Sequence, residues 1–489
     1  MKKYAPFVIL VSAFVLRFAT VGNLMTFTPD EVYQAYLART IISDFHIIWI
    51  GISAGSFGMF LGPFWIYVLT PLLYLSKGDP IVMGYLGAFL GVLTTYVLFW
   101  LGKTMFNWRV GVIASIFYSF SALIVYYDQK GYPSGVSLLS VLMLASLYLT
   151  KRSAYWWIAF AFVYGFIFHV HLSLALLALV AMYIAYLRRQ QLNFKIIFLS
   201  FSALVIMLSP LIVFDYFHKA SNVLAPLKLI STLSEKGRQS QIPYHLQSTF
   251  DSFGRVLFLP AYKNNADEIL YACTKSQSST FSKPPFLIAL FGSVLFFVFC
   301  FSKNSWKQEN KRLILLSSLV VIVPYVMSQF INPYEYYLLG FFPLYFLMLA
   351  VLIEKLKLKF RFIAYLALSI FVCINVFTVT TARNDFGLAA KKKLITKTMQ
   401  VVGQDSFELT GMGDCHKYEG WRYLFSVYGT SPQRSSEDND FAWLYKDEVS
   451  SQPVKYSVVV SETRQSLVLN SKYKLIAQEG GFSAYILEY

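Results

Sequence analysis

The chain has 489 residues, 56% of them hydrophobic, 18% aromatic and only 14% charged, with 42 Lys+Arg against 26 Asp+Glu for a net charge of +16. That balance excludes an ordinary soluble globular protein. Much of the basic excess lies in short loops beside apolar runs, so it bears on membrane topology before nucleic acid, and no nucleic-acid partner is expected.

Apolar runs recur from Ala5 to Thr380, the pattern of a polytopic helical membrane protein. The first, Pro6 to Gly22, follows Met1-Lys2-Lys3, has no small-residue cleavage site and carries Arg17, so it reads as a retained span. Eleven spans are expected: 5–22, 81–102, 110–127, 133–150, 154–170, 172–187, 196–214, 285–302, 313–331, 336–353 and 362–380. Leu61 to Leu75 is apolar but short and contains Pro63 and Pro71. If it does not cross, the basic loops at Lys103/Arg109, Lys151/Arg152, Arg188/Arg189/Lys195, Lys303–Arg312 and Lys355–Arg361 all share the side of Lys2-Lys3. The positive-inside rule therefore makes it interfacial or re-entrant, with the N-terminus cytoplasmic.

Four outward regions follow from that orientation: loop 23–80, the turn Asp128 to Tyr132, loop 215–284, and Asn332 to Glu335. The expected organisation is a transmembrane domain over 1–382 and an extracytoplasmic α/β domain over 383–489. In the latter, Tyr456 to Ser461 alternates like a strand and Lys474 to Tyr489, broken by Gly480-Gly481, reads as a hairpin. Four cysteines do not make a framework, and of these Cys273 and Cys415 lie in polar regions where they can pair. No P-loop, Gly-rich dinucleotide fingerprint or metal-spaced Cys/His cluster occurs, so no cofactor is expected, although a divalent metal stays open.

The informative polar groups collect on the outward side. Thr28-Pro29-Asp30-Glu31 opens an amphipathic helix with two adjacent carboxylates. Thr28 and Glu31 fit a capping box and Pro29 suits the first helical position, so Glu31 is divided between cap and chemistry. Asp30, which the cap does not need, is the better base. Arg17 lies below the outer end of the first span, either as partner to an acid or as a contact to a lipid phosphate. Asp128 and Lys130 belong to Tyr126-Tyr127-Asp128-Gln129-Lys130-Gly131-Tyr132, where a second carboxylate either holds an acceptor or a sugar or is ordinary loop chemistry before Gly-rich turn residues. His169 and His171, two residues apart, do not share a helix face, so a metal site is not expected, and each is either a satisfied loop histidine or a group facing a phosphate or hydroxyl. Loop 215–284 holds His218, Lys219, Lys228, Lys236, Arg238, Arg255 and Lys263 among aromatics, a grip for an anionic headgroup or a solvated basic face. Tyr334-Glu335-Tyr336-Tyr337 forms a polar aromatic cluster at the outer rim, either an interfacial aromatic belt or a substrate site with Tyr334 and Glu335 as candidates.

Phe27-Thr28-Pro29-Asp30-Glu31-Val32-Tyr33 resembles the Asp-Glu signature of GT-C-type glycosyltransferases in the protein O-mannosyltransferase and aminoarabinose transferase group, glycosyltransferase families 39 and 83. Gly62-Pro63-Phe64-Trp65-Ile66-Tyr67, Lys103 to Arg109 ahead of a span, and Tyr126-Tyr127 leading to Tyr132-Pro133 extend the likeness over residues 5–215, with architecture alone beyond that. The resemblance implies transfer of a sugar from a polyprenyl-phosphate donor to an acceptor at the outer face of the cell membrane. Asp30 would be the base or orient the nucleophile, with Glu31 in support. Two departures stand out. Ser134 follows the proline where relatives often carry an acid, and His169 and His171 stand where they often carry a lysine. Competing readings are a lipid-linked glycan flippase and, within the enzymes, a glycan polymerase or ligase. Large outer loops and the C-terminal domain favour the transferase, because transporters more often show internal repeats and polar residues at mid-span.

Overall fold

The computed structural model describes residues 4–54, 58–227, 241–259, 281–328, 332–413, 417–445, 448–463 and 472–489. Cys273 and Cys415, and Lys228, Lys236, Arg238 and Lys263 of the long loop, lie outside them.

The chain begins with α1 (Ala5–Phe18), α2 (Val21–Leu24), α3 (Pro29–Asp44), α4 (Phe64–Leu75), α5 (Ile81–Met105), α6 (Trp108–Phe120) and α7 (Ala122–Tyr127). Each of the eleven apolar segments coincides with one or more helices. Among the described residues four helices are long and apolar enough to cross a membrane, namely α5, Phe194–Phe217, Glu309–Met327 and Leu358–Thr381. The others are shorter. At about 1.5 Å per residue, the 12 residues of α4 rise roughly 18 Å, well short of a hydrocarbon core of about 30 Å. Trp156–Ile167 also has 12 residues, so charge and not length separates α4 from the expected spans.

The third apolar run is broken where the sequence reads as continuous. Ser121 adopts an extended conformation between α6 and α7. The backbone groups freed there are taken up inside the protein: Ala122 N donates to Asn375 Oδ1 at 2.9 Å, and the Ser121 hydroxyl donates to Val256 O at 2.7 Å. A break among buried helices survives only with such replacements. It redirects α7 so that Tyr126, Tyr127, Asp128 and Lys130 arrive at one end of the bundle.

The basic loops gather at the other end. Arg188 pairs with Glu309, Arg109 lies 3.4 Å from Glu354, and Lys151 donates to Asn310 at 3.4 Å. Loops that charge counting assigns to one side thus sit together.

After the last long helix the chain folds into a five-stranded sheet of order β2-β1-β3-β5-β4, with β1 (Phe407–Gly411), β2 (Arg434–Ser435), β3 (Tyr456–Glu462), β4 (Lys474–Glu479) and β5 (Phe482–Glu488). β1 runs parallel to β2 and β3, while β5 is antiparallel to β3 and β4. β3 and the β4–β5 hairpin fall where alternation and the Gly480-Gly481 turn put them. Helices Leu388–Val402 and Trp421–Tyr428 pack beside the sheet, the latter with its first amides, Trp421 N and Arg422 N, on the Glu437 carboxylate at 2.9 and 3.2 Å.

This sheet region seats itself on α3. Tyr36 of α3 packs edge-on against Tyr423 with ring centroids 5.2 Å apart and lies 4.9 Å from Tyr445. Buried Lys391 pairs with Glu419 and donates to Phe27 O at 2.7 Å. Leu388 N reaches Met25 O at 2.9 Å, and Tyr423 donates to Gly78 O at 2.7 Å. The helix carrying the acidic pair is therefore held between the bundle and the C-terminal sheet.

Candidate active site at the N-terminus of the third helix

The two carboxylates of α3 are sorted by their surroundings. Glu31 is buried. Its Oε2 accepts from Thr28 N at 3.0 Å and from the Thr28 hydroxyl, and its Oε1 accepts from Tyr132 N at 3.1 Å. It closes the helix end and ties that end to the 128–132 turn. Asp30, one residue earlier, is exposed, and among the described residues no group donates a hydrogen bond to it. Water reaches it along one side. The protein packed around it still pushes its carboxyl above the ordinary value, desolvation outweighing the opposing charge of Lys130. Glu31 is also raised, by burial first, again against Lys130.

Asp30 faces a ring of tyrosines from distant parts of the chain. Its charge is felt by Tyr132, Tyr336 and Tyr337. Tyr336 and Tyr337 lie 4.5 Å apart by ring centroids, and Tyr334 stacks on Tyr336 at 5.5 Å. His171 enters the same cluster, 6.1 Å from Tyr132, 5.8 Å from Tyr336 and 5.2 Å from Tyr337. Burial pushes its imidazole down to about 4, so at neutral pH it offers hydrogen bonds and not a positive charge. Lys130 lies over Tyr126 at 5.3 Å and Tyr127 at 5.8 Å, with its charge reaching both acids.

The remaining sequence candidates are used inside the fold. Arg17 is fully buried and lies 2.9 Å from Asp128 Oδ2. It also donates to Ser119 O at 3.0 Å and Tyr118 O at 3.1 Å, and the Tyr118 hydroxyl donates to Asp128 Oδ1 at 3.0 Å. Room for this pair is made by α5: a Cβ on Gly87 would come within 2.6 Å of Asp128 O, and one on Gly91 would strike the Asp128 carboxylate. Of the two roles open to Arg17, the geometry takes the partner to an acid, and Asp128 is that acid. Arg255 Nε pairs with Glu335 Oε1 at 2.8 Å, where the Ser252 hydroxyl also donates at 2.6 Å. Both members of that pair are buried. His169 accepts from Phe64 N at 3.3 Å through Nδ1 and meets Met207 O at 2.7 Å through Nε2, clipping the start of α4 to helix Phe194–Phe217. With both nitrogens engaged and the ring buried, it has no free atom for a phosphate. The structure thus brings Asp30, Glu31, Lys130, His171 and Tyr334 together and leaves Arg17, Asp128, His169, Arg255 and Glu335 as the supports around them. Among the described residues no three His, Cys, Asp or Glu side chains gather as metal ligands.

Tyr132, Tyr336 and Tyr337 are members of the cluster around Asp30 that reading by residue type passes over. The signal for them is the density of tyrosine on both sides of Asp128-Gln129-Lys130 and after Asn332-Pro333.

No family model and no curated protein matches the chain. Solved structures do. ArnT from Cupriavidus metallidurans bound to undecaprenyl phosphate aligns with a TM-score of 0.62 at 11% identity, covering 98% of this chain and 97% of that one. The chain has that fold. The apo form of ArnT aligns at a TM-score of 0.58. An oligosaccharyltransferase from Archaeoglobus fulgidus, in complex with Zn and sulfate, aligns at 0.52 and 12% identity over 94% of this chain and 68% of that one. The ArnT-like fold runs through the C-terminal sheet, well past the reach of the sequence resemblance.

Proposed function

We propose that this protein is a membrane glycosyltransferase that moves a sugar from a polyprenyl-phosphate donor to an acceptor at the extracytoplasmic face, using eleven spans with the N-terminus in the cytoplasm. The observation that carries the reading is the sorted acidic pair, a buried Glu31 that holds the helix end and an exposed Asp30 that faces Lys130 and the tyrosine ring. The ArnT-like fold supports it, since that relative holds undecaprenyl phosphate in its structure.

In this mechanism Asp30 takes the proton from an acceptor hydroxyl or amine as that atom attacks the anomeric carbon. The new bond to the anomeric carbon forms while the old bond to phosphate oxygen breaks, and the electron pair leaves with the phosphate. Lys130 stabilises that departing charge. Neutral His171 and the tyrosine hydroxyls orient the sugar. Glu31 keeps Asp30 at the mouth of the site through Thr28 and Tyr132. The test is incubation of the membrane-reconstituted protein with labelled polyprenyl-phosphate sugars. Loss of label from one of them to an acceptor is expected. Movement of intact lipid-linked sugar between leaflets with no transfer would assign a flippase instead.

A further inference from the structure

A cavity of about 790 Å³ opens beside α3, between loop 46–50, the end of helix Phe194–Phe217 and the C-terminal residues Trp443, Leu444, Tyr445 and Glu448. We infer that this cavity is the binding site for the glycan portion of the acceptor, which it lays along α3 with one end at Asp30; the inference rests on reading Asp30 as the base.

Position along the helix is the first argument. Tyr33, Leu37, Thr40 and Asp44 line the cavity, and with Asp30 they occupy positions spaced by three and four residues, one stripe of an α-helix. Asp30 heads that stripe, about 4.5 Å of helix rise before Tyr33. A chain lying on the stripe and running past Tyr33 therefore comes to the exposed carboxylate.

The wall chemistry is the second. Trp49 and Trp443 are 46% and 55% exposed, so their ring faces are open to a ligand. Tyr33 joins them, its ring 5.7 Å from Trp443. In the same lining Arg39 and Glu448 form a 2.6 Å ion pair whose side chains are still 41% and 32% exposed, leaving guanidinium N–H groups and a carboxylate oxygen open to a ligand. A sugar ring presents C–H faces and hydroxyl edges, and it matches aromatic planes around charged hydrogen-bonding groups. An acyl chain would strip water from Arg39, Glu448 and Asp44 without replacing its hydrogen bonds. A phosphorylated ligand would meet the carboxylates of Asp44 and Glu448 beside the one guanidinium of Arg39, with the imidazoles of His46 and His218 also in the wall. The volume lies in the range of small-ligand sites.

The full-length protein in lipid nanodiscs is titrated with chitotriose, cellotriose and mannotriose while tryptophan fluorescence is read. At least one trisaccharide should give a saturable change, at least tenfold weaker in Trp443→Ala and in Arg39→Met. Both variant side chains are partly exposed, and folding is checked by retention of labelled undecaprenyl phosphate at wild-type occupancy. No saturable change with any trisaccharide up to millimolar concentration overturns the assignment. So does wild-type affinity in Trp443→Ala, parallel loss of undecaprenyl phosphate in the variants, or saturation by dodecanoate in place of the sugars. Failure of the wild type to hold undecaprenyl phosphate would instead remove the proposed transferase while the trisaccharide titration still reports on the cavity.

Discussion

Asp30→Asn separates catalysis from architecture more cleanly than any other change in the molecule. The carboxylate accepts no hydrogen bond among the described residues, so the substitution leaves no orphaned donor. Its structural contribution is confined to a negative charge in the first turn of α3, worth about 0.3–1 kcal/mol, and asparagine keeps the size. Loss of a general base costs about 100-fold or more in rate, equivalent to roughly 3 kcal/mol on the barrier. Glu31→Gln should behave in the opposite way. A carboxylate that accepts from Thr28 N, the Thr28 hydroxyl and Tyr132 N becomes a group with one acceptor oxygen, so at least one buried donor goes unpaired at about 1–3 kcal/mol. Sugar transfer is followed with a labelled polyprenyl-phosphate donor, and unfolding by heating the same preparations. Transfer should fall most in the Asp30 variant and thermal stability most in the Glu31 variant. Near-normal transfer by a well-folded Asp30→Asn protein would refute the reasoning.

Other outcomes follow from the same geometry. Lys130→Met removes the charge that holds the Asp30 carboxyl down against burial, so the acid limb of the rate–pH profile should move to higher pH, and an unmoved limb would detach Lys130 from Asp30. Arg17→Ala strands Asp128 in the interior at a cost of about 3–5 kcal/mol, so it should reduce folded yield while surviving protein keeps its donor requirement; the double variant with Asp128→Asn should recover part of the yield. Burial pushes the Glu437 carboxyl up to about 7, so the folded state loses stability as pH rises from about 4.5 through 7; Glu437→Gln should flatten that slope, whose full height is about 3 kcal/mol, in thermal unfolding followed across pH. Cysteines at the exposed positions Lys77 and Asp440 should react with an impermeant reagent from outside and those at Lys103 and Gln190 should not; outside labelling at Gln190 would reverse the orientation.

What the sequence disclosed was local. Apolar runs marked the helices, alternation marked β3, Gly480-Gly481 marked the hairpin turn, and Thr28 to Glu31 announced a helix start with acids to spare. Pairings across the chain were not legible. Arg17 and Asp128 lie 111 residues apart and Arg255 and Glu335 lie 80 apart, and nothing in either segment names its partner. Each of these charges had two roles open, and only the three-dimensional contact chose between them. The glycines of α5 were a missed clue, because Gly87 and Gly91 make space for the turn that carries Asp128 and Lys130. The break at Ser121 was hidden for a similar reason: its compensation comes from Asn375, far away in the last long helix.

The seating of the C-terminal sheet on α3 has a consequence for how the protein comes into being. Lys391, which holds Phe27 O, is made 364 residues after it. At a synthesis rate of about 5–20 residues per second, the acidic helix waits roughly 20–70 s at the membrane before its outer support exists. Through that interval Phe27 and Tyr36 lack the Tyr423 and Tyr445 rings that later cover them. A ribosome that stalls before Lys391 leaves a bundle with Asp30 present but its helix half-clad, so α3 gains its outer cover only when the sheet region has been made.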